Sequence, residues 1–270
     1  MKRTAITLLF VFGFVLTWAQ TKETRNVDTF TKLNFRVPGK LYLRQGNEQK
    51  VVLEGPKEVL EKIETEVSGS RLSIGRESEW RSWNWDSNDR IIVYVTVKNI
   101  EGISVSGSGN LIGEGVIKAG DLALAVSGSG SMEIEVNASG YMEANVSGSG
   151  NIRVKGNCRA VESKVSGSGK VMLASTITER AEMNVSGSGR IIASGTAKEI
   201  RATISGSGEV QAADLEVEKC EVRISGSGDV EINVKQALDA TISGSGSVSY
   251  RGNPSQVNSH SSGSGKVRKM

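Results

Sequence analysis

The tetrad Ser-Gly-Ser-Gly recurs nine times, and this repeat limits the possible folds more than any other feature of the chain. Two glycines in each of nine copies account for 18 of the 32 glycines, so the glycine excess of this 270-residue sequence is the repeat itself. Successive copies are 18 to 21 residues apart. The copies begin at Ser106, Ser127, Ser147, Ser166, Ser186, Ser205, Ser225, Ser243 and Ser262.

The residues around each tetrad keep an aliphatic register, which a flexible Ser/Gly linker would not need. The residue before the tetrad is Val or Ile in eight copies and differs only at Ser261. Alternate residues of a strand face opposite sides, so the aliphatic residues are predicted to point inward and the serines outward. The glycines then fall on inward steps at a corner that has no room for a Cβ. These structural turn glycines are Gly107, Gly109, Gly128, Gly130, Gly148, Gly150, Gly167, Gly169, Gly187, Gly189, Gly206, Gly208, Gly226, Gly228, Gly244 and Gly246.

A unit of this size cannot bury its apolar side alone, whereas stacked units can. The sequence therefore predicts an all-β fold, a parallel β-helix (solenoid) with 19–20 residues in most coils. At about 4.8 Å per coil, the eight intervals between tetrads span roughly 38 Å. A leucine-rich repeat is excluded because its L-x-x-L-x-L pattern is absent, and the variable spacing disfavours a left-handed hexapeptide helix. The repeat alone leaves the handedness open.

Residues 103–270 form the predicted tetrad solenoid, and residues 20–102 form a mostly β cap over its open end. Strands of this cap are predicted at 33–37, 41–43, 51–53, 71–74 and 91–97. One short amphipathic helix is predicted over 57–67, where apolar residues recur at helical spacing. These apolar residues are Val59, Leu60, Ile63 and Val67.

Residues 1–19 have the pattern of a secretory signal peptide. Lys2 and Arg3 precede a short apolar core, and Ala19 is the small residue before the expected cut. The apolar run 5–16 is too short to span a membrane, and no later run is long and apolar enough. We therefore expect cleavage after Ala19 and export to the periplasm, the cell surface or the medium, without a transmembrane segment.

Charge and residue usage exclude several classes of protein. The 33 Lys and Arg residues against 30 Asp and Glu residues leave too little positive charge for an electrostatic nucleic-acid binder. His260 is the only histidine, which limits histidine-based catalysis, and we expect it to be a polar surface residue. The repeat places Cys158 and Cys220 about three coils apart, roughly 14 Å, which is beyond the reach of a disulfide. Both cysteines are therefore expected to be unpaired.

Three acidic residues form one candidate catalytic site. Glu209, Asp229 and Glu231 could share a face of neighbouring coils, as a β-helix lyase would need. Lys170 and Arg190 precede them in the same predicted column, and stacked charges of mixed sign are more simply explained by cross-strand pairing. Only one tetrad is followed directly by Asp, which disfavours calcium at the turns. No cofactor and no metal site are expected.

The tryptophans concentrate in a polar stretch, 76–90, that has neither a strand nor a helix pattern and is predicted to be a loop. Trp80, Trp83 and Trp85 are three of the four tryptophans, and Arg81 lies among them. Tryptophan faces can stack on sugar rings and a guanidinium can hold a carboxylate, so these four residues are a candidate binding site. The alternative is that the tryptophans cover the first coil or a partner chain.

A run through 91–97, then IEGISVSGSG at 100–109, then serial (Val/Ile)-Ser-Gly-Ser-Gly turns resembles the head GIN domain proteins, auto-transporter adhesins common in Bacteroidetes. The resemblance covers essentially the whole chain after the signal peptide. It implies a right-handed parallel β-helix similar in shape to pectin lyases but without their catalytic residues. It also implies a role in cell adhesion, and it provides no catalytic residue to carry over.

These observations favour an exported, non-catalytic adhesion module that binds a cell-surface polysaccharide or protein, with a homo-oligomer as an option. A structural or scaffolding protein of the cell envelope is the main alternative. A carbohydrate-active β-helix enzyme is a third, which would depend on the acidic set around Glu209.

Overall fold

The computed structural model describes residues 21–76 and 90–270, which form 22 strands and one helix of four residues. The elements before the first tetrad strand are β1 (Thr21–Arg25), β2 (Lys32–Phe35), β3 (Lys40–Gln45), β4 (Lys50–Gly55), α1 (Lys57–Leu60), β5 (Ile63–Ser68), β6 (Arg71–Arg76) and β7 (Ile92–Val97). The elements from the first tetrad onward are β8 (Gly102–Gly107), β9 (Asn110–Ala119), β10 (Leu122–Gly128), β11 (Ser131–Ala138), β12 (Tyr141–Gly148), β13 (Asn151–Cys158), β14 (Ala160–Gly167), β15 (Lys170–Ile177), β16 (Arg180–Gly187), β17 (Arg190–Gly206), β18 (Glu209–Gly226), β19 (Asp229–Gly244), β20 (Ser247–Arg251), β21 (Gln256–Gly263) and β22 (Lys266–Lys269).

The chain winds as a parallel β-solenoid, which confirms the predicted fold class. In each coil one strand ends at the first glycine of a tetrad and the next strand begins directly after the second glycine. The strands that end at a tetrad pair in parallel from β8 to β21, and we call them the pre-tetrad stack. The strands that follow a tetrad pair in parallel from β9 to β22, and we call them the post-tetrad stack. Each of β17, β18 and β19 contributes one half to each stack.

The core lies between the two stacks and consists of aliphatic columns. Equivalent residues pair across coils, so that Val126, Val146, Val165 and Val185 lie one above the other and are all buried. The serines of the tetrads lie on the outside, with Ser186 and Ser188 both exposed. The predicted alternation is therefore present in the pre-tetrad stack from β8 to β19, because a parallel, in-register sheet repeats the same side-chain direction in every coil.

The two glycines of a tetrad have different surroundings, which corrects the expectation that both face the core. Gly189 is buried, and a Cβ there would overlap Cγ1 of Val165 in the preceding coil. Gly187 is exposed at the corner and has a φ of +108°, a left-handed conformation that favours glycine. The first glycine is thus required by its backbone conformation and by the carbonyl oxygen of Gly167 beside it, and the second by lack of space in the core. The same positive φ recurs at the first glycine of all nine tetrads.

The N-terminal region extends both stacks. Strand β2 pairs in parallel with β8 and β6, while β3 pairs in parallel with β9 and β7. Strands β4 and β5 then pair antiparallel with β7 and β6, and β1 adds to β4. Each of the five strands predicted in this region overlaps an observed one, namely β2, β3, β4, β6 and β7.

The helix predicted over 57–67 is wrong in its second half. Helix α1 ends at Leu60, and Ile63 begins strand β5. Strand β5 forms a hairpin with β6, in which Val67 pairs with Leu72 across a turn at Gly69 with a φ of +59°. An isolated helix of this length is marginal in water, whereas the hairpin satisfies the backbone of six residues and buries Ile63.

The two cysteines are free, as the sequence predicts, and both are buried. Cys158 ends β13 in the post-tetrad stack, and Cys220 lies in the pre-tetrad half of β18. Burial raises the pKa of the Cys158 thiol to about 11, and burial together with the nearby Glu221 carboxylate raises that of Cys220 to about 12. Both thiols therefore stay protonated at neutral pH.

Candidate functional site

The tryptophan-rich candidate site lies outside the described residues. Trp80, Arg81, Trp83 and Trp85 all fall between β6 and β7, within the segment 77–89. Their role as a binding site therefore stays a prediction. The signal peptide at 1–19 also lies outside the described residues.

The acidic set on the post-tetrad stack belongs to a ladder of cross-strand contacts. Lys170, Arg190, Glu209 and Asp229 are in register on successive coils, as predicted. Nε of Arg190 donates to a Glu209 carboxylate oxygen at 2.8 Å, and the Gln211 amide donates to the same oxygen at 2.9 Å. Glu209 is thus held by two neighbours.

The register places the other two carboxylates on the same face as Glu209, as expected, with Asp229 directly beside it on the next coil. Asp229 accepts a hydrogen bond from the backbone N–H of Ser247 in the next coil at 3.1 Å. Glu231 lies one outward position further along the strand, in register with Gln211. His260 is exposed on β21 and pairs in register with Thr241. Within 21–76 and 90–270, no group of His, Cys, Asp and Glu is placed to hold a metal ion.

A continuous polar trough follows the corner at which each coil passes from the post-tetrad to the pre-tetrad strand. Three cavities of about 810, 530 and 380 Å³ share lining residues there. Tyr141 lines the first and the second cavity, while Arg180 and Glu199 line the second and the third. We call this trough the corner groove, and it extends from Thr31 to Asn258.

The length of the corner groove follows from the sheet register. One outward column of the pre-tetrad stack has nine positions, with its first at Gly102 and its last at Asn258. Its eight steps at about 4.8 Å correspond to roughly 38 Å. The central members of this column are three stacked glutamates, Glu143, Glu162 and Glu182.

Tyr141 is the exposed aromatic residue of the groove, with 36% of its surface accessible. Its hydroxyl donates to the Glu162 carboxylate of the next coil at 2.8 Å, which fixes the direction of the ring. Partial burial and this hydrogen bond raise the pKa of Tyr141, so the phenol keeps its proton. Lys164 Nζ binds the same carboxylate at 2.6 Å. Partial burial alone would raise the pKa of Glu162, but the hydrogen bonds from Lys164 and Tyr141 outweigh it and lower that pKa.

A ladder of ion pairs connects successive coils along the groove. Arg159 contacts Glu179 at 3.0 Å, and Arg180 contacts Glu199 at 3.1 Å. Further down, one oxygen of Glu221 contacts Arg201 and the other contacts Arg223, both at 2.8 Å. Each of these carboxylates is therefore neutralised by a nearby cation. The groove presents positively charged hydrogen-bond donors and negatively charged acceptors.

Sequence reasoning missed the corner groove. Tyr141 occupies an outward position of its strand, where the alternation around the tetrad predicts a solvent-facing side chain. An aromatic residue at such a position is the signal that could have identified it. The cavity itself depends on Ala160, a small residue between Tyr141 and Arg180 on adjacent coils.

The sequence model of the family described as "Putative auto-transporter adhesin, head GIN domain" matches residues 29–193 and 178–254. The chain belongs to this family. This confirms the resemblance seen in the tetrad repeat, and membership in the head GIN domain family supports an adhesin-like role at the cell surface. A search of curated proteins finds no match.

Solved structures similar to this head GIN domain protein show the same fold. A "putative adhesin" from Parabacteroides merdae is 21% identical with a TM-score of 0.70, covering 93% of this chain and 96% of its own. A "putative lipid binding protein" from Parabacteroides distasonis is 22% identical with the same TM-score, covering 93% and 96%. A second "putative adhesin", from Parabacteroides distasonis, is 20% identical with a TM-score of 0.70 and covers 93% and 97%. Across the residues that the structure describes, no helix is long and apolar enough to cross a membrane.

Proposed function

We propose that this protein is an exported, non-catalytic adhesion module that binds a cell-surface polysaccharide or protein along its solenoid. The corner groove is the observation that carries this proposal. It is open, runs along the coils, and is lined by polar side chains that carry both signs of charge in nearly equal number. Such a surface suits an extended partner rather than an enclosed small molecule.

We propose that Glu209, Asp229 and Glu231 are not catalytic, and the contacts of the first two support this. Glu209 is held by Arg190 and Gln211, and Asp229 accepts from the backbone of the next coil. The contacts of Arg190 with Glu209 and of Ser247 with Asp229 connect neighbouring coils. Catalysis would instead predict product formation from a polysaccharide, abolished by changing Glu209, Asp229 or Glu231.

The tryptophan-rich segment is proposed as a second contact with the same partner. Aromatic rings in a chain with few aromatic residues offer a large apolar area for stacking. A Trp83→Ala, Trp85→Ala double variant is expected to weaken surface binding by roughly 1–3 kcal/mol, since each ring contributes to stacking. Trp83→Phe with Trp85→Phe is the matched control, because it keeps aromatic faces.

The test uses the mature protein, labelled with a fluorophore, on a glycan array and on intact bacterial cells. Saturable binding without cleavage of the target supports the proposal. The thermal midpoint of each variant is measured in parallel, because lost packing would also weaken binding. A double variant that melts early but binds like the parent supports a packing role for the tryptophans. Absence of binding to cells and to the array contradicts the adhesin proposal and favours the structural envelope role.

A further inference from the structure

Resting on the proposed function, we propose that the corner groove binds an uncharged polysaccharide lying along the solenoid axis, with one sugar ring seated over Ala160 between Tyr141 and Arg180. The middle cavity, of about 530 Å³, is the proposed anchoring subsite. Its volume lies within the usual range of about 300–1,000 Å³ for ligand sites.

The shape of the anchoring subsite comes from the order of three residues in one column. Tyr141 and Arg180 are separated by Ala160, and each neighbour lies on the adjacent coil. Because the alanine has only a methyl group, the two larger side chains form the walls of a gap about two coils wide, roughly 10 Å. Val161 and Ala160 form an apolar part of its lining.

The chemistry of the walls suits a pyranose ring. Tyr141 is held in place by its hydrogen bond to Glu162, so its ring is preorganised and half exposed beside the gap. Aromatic rings pack on the apolar C–H face of a sugar with little loss of side-chain freedom. Glu182 and Lys198 also line the gap, and they offer an acceptor and a donor for the sugar hydroxyls.

The charge pattern of the groove favours an uncharged chain over an acidic one. Eight carboxylate and seven cationic side chains line the three cavities. The arginines Arg180 and Arg201 are already paired with Glu199 and Glu221. Within the part of the chain that the structure describes, the four lining lysines that form no ion pair are matched by four lining carboxylates that form none, so the groove has no surplus of cations to neutralise an acidic polymer. Hydroxyl groups both donate to carboxylates and accept from guanidinium groups, and therefore match a surface of mixed sign.

The cavity of about 810 Å³, at the N-terminal end of the groove, also offers hydrogen-bond acceptors to sugar hydroxyls. Among the described residues, Glu101, Asp121 and Glu143 form no ion pair. Asp121 accepts from the Tyr141 backbone N–H at 2.7 Å, and Glu143 accepts from the Asn145 amide at 2.6 Å. Each carboxylate keeps lone pairs for hydroxyl donors. Three carboxylates and two lysines, Lys32 and Lys118, line this cavity, so an acidic sugar would meet a net negative charge there.

The experiment measures the affinity of the mature protein for soluble neutral polysaccharides, namely xyloglucan, galactomannan and laminarin, with polygalacturonate as the acidic comparison. At least one neutral chain is expected to bind, with an affinity that changes less than about twofold between low and high salt. Ala160→Phe fills the subsite and is expected to weaken this binding about tenfold or more. Ala174→Phe is the matched control, because it places the same side chain at an exposed position of the post-tetrad stack.

Two substitutions of the tyrosine separate stacking from hydrogen bonding. Tyr141→Ala is expected to weaken binding about tenfold, whereas Tyr141→Phe keeps the ring and is expected to remain within about threefold of the parent. Circular dichroism and the thermal midpoint verify that each variant is folded. If Ala160→Phe fails to fold, Ala160→Leu is used in its place, because leucine fills the same gap with a smaller side chain.

Two results with the parent protein would overturn the inference: no neutral polysaccharide binds, or polygalacturonate binds more tightly than the neutral polysaccharides and its affinity falls steeply with salt. Two results with variants would also overturn it: Ala160→Phe binds with the affinity of the parent, or Tyr141→Ala binds with the affinity of the parent. Binding to intact cells that survives Ala160→Phe would leave the adhesion function standing and refute the groove as its site. If the parent protein does not bind to cells at all, the adhesion function itself is refuted.

Discussion

Cγ1 of Val165 occupies the space that a Cβ on Gly189 would need. The same contact recurs between the valine or isoleucine before one tetrad and the second glycine of the next tetrad. Gly169 stands in the same relation to Val146, and Gly208 to Val185. The aliphatic residue before one tetrad therefore packs under the corner of the next. This explains why the glycine and the preceding branched residue recur together.

The first prediction concerns the three residues of one corner. Gly189→Ala is expected to lower the free energy of unfolding by about 1–3 kcal/mol, because the added methyl group overlaps Val165. Gly187→Ala is expected to cost about 1–3 kcal/mol, since a φ of +108° strains an L residue and the added Cβ would lie 2.9 Å from the Gly167 carbonyl oxygen. Ser188→Ala, at an exposed position, should change stability by less than about 0.5 kcal/mol. Urea unfolding measures all three, and equal small effects would mean that the corner tolerates side chains.

The second prediction concerns a buried hydroxyl. Ser163 is fully buried between Ala144 and Met183, and its hydroxyl finds no hydrogen-bond partner among the described residues. An unsatisfied buried polar group costs about 1–3 kcal/mol, so Ser163→Ala is expected to stabilise the protein by about 1 kcal/mol. Ala144→Ser adds a hydroxyl at the same column and should destabilise by about 1–3 kcal/mol. A lower melting temperature for Ser163→Ala would show that the hydroxyl has a partner.

The third prediction concerns the thiols and pH. The folded-state pKa values of Cys158, about 11, and Cys220, about 12, lie above the ordinary value of 9.0. The raised values mean that the protonated thiols favour the folded state fully below pH 9.0, and that this contribution is lost as the pH rises toward 11 and 12. The parent should therefore lose more stability above pH 9.0 than a Cys158→Ala, Cys220→Ala variant does.

A reagent test complements the pH series. A thiol reagent at neutral pH should label neither cysteine in the folded protein and both after denaturation, since only the exposed thiolate reacts. Rapid labelling of the folded protein would contradict the burial of both side chains.

The fourth prediction concerns export. The charged start, the short apolar run and Ala19 predict cleavage after residue 19, which leaves Gln20 as the first residue. The intact mass of the protein recovered from the exported fraction tests this. A mass that retains residues 1–19 would refute it.

The repeat made the solenoid predictable, because the tetrad and its aliphatic neighbours encode side-chain direction locally. The error at 57–67 has a physical cause: Ile63 and Val67 fit both a helical period and the alternation of a strand. The pairing of β5 with β6 decides between the two, and that hairpin contact is not visible in the spacing of apolar residues. The mixed-charge column of Arg190 and Glu209 was predictable, since the tetrads fix which residues align.

The corner groove was not predictable in the same way. It depends on the relative size of outward residues on three successive coils, Tyr141, Ala160 and Arg180, and on coil lengths that vary between tetrads. An alternation pattern gives the direction of these side chains but not the gap between them. Likewise, the positive φ at Gly187 distinguishes the two glycines of a tetrad, whereas their identical residue type does not.

The fifth prediction concerns the last coil, where the inner columns change from aliphatic residues to serine. Ala240 and Ile242 pair with Ser259 and Ser261, and all of β21 is exposed, including Val257 at 41%. Exposed strand edges invite pairing between molecules, and polar residues at such an edge oppose it. A Ser259→Val, Ser261→Ile variant continues the aliphatic columns next to Val257 and is expected to self-associate as protein concentration rises.

Light scattering after size-exclusion chromatography measures this association. Ser262→Ile is the matched control, because Ser262 faces outward and does not extend an inner column. The control should keep the association state of the parent, since an isolated exposed apolar residue is common on protein surfaces. If the control and the double variant associate equally, general surface hydrophobicity is responsible. If neither variant associates, the serines at the inner positions of β21 are not what prevents association, and the prediction is wrong.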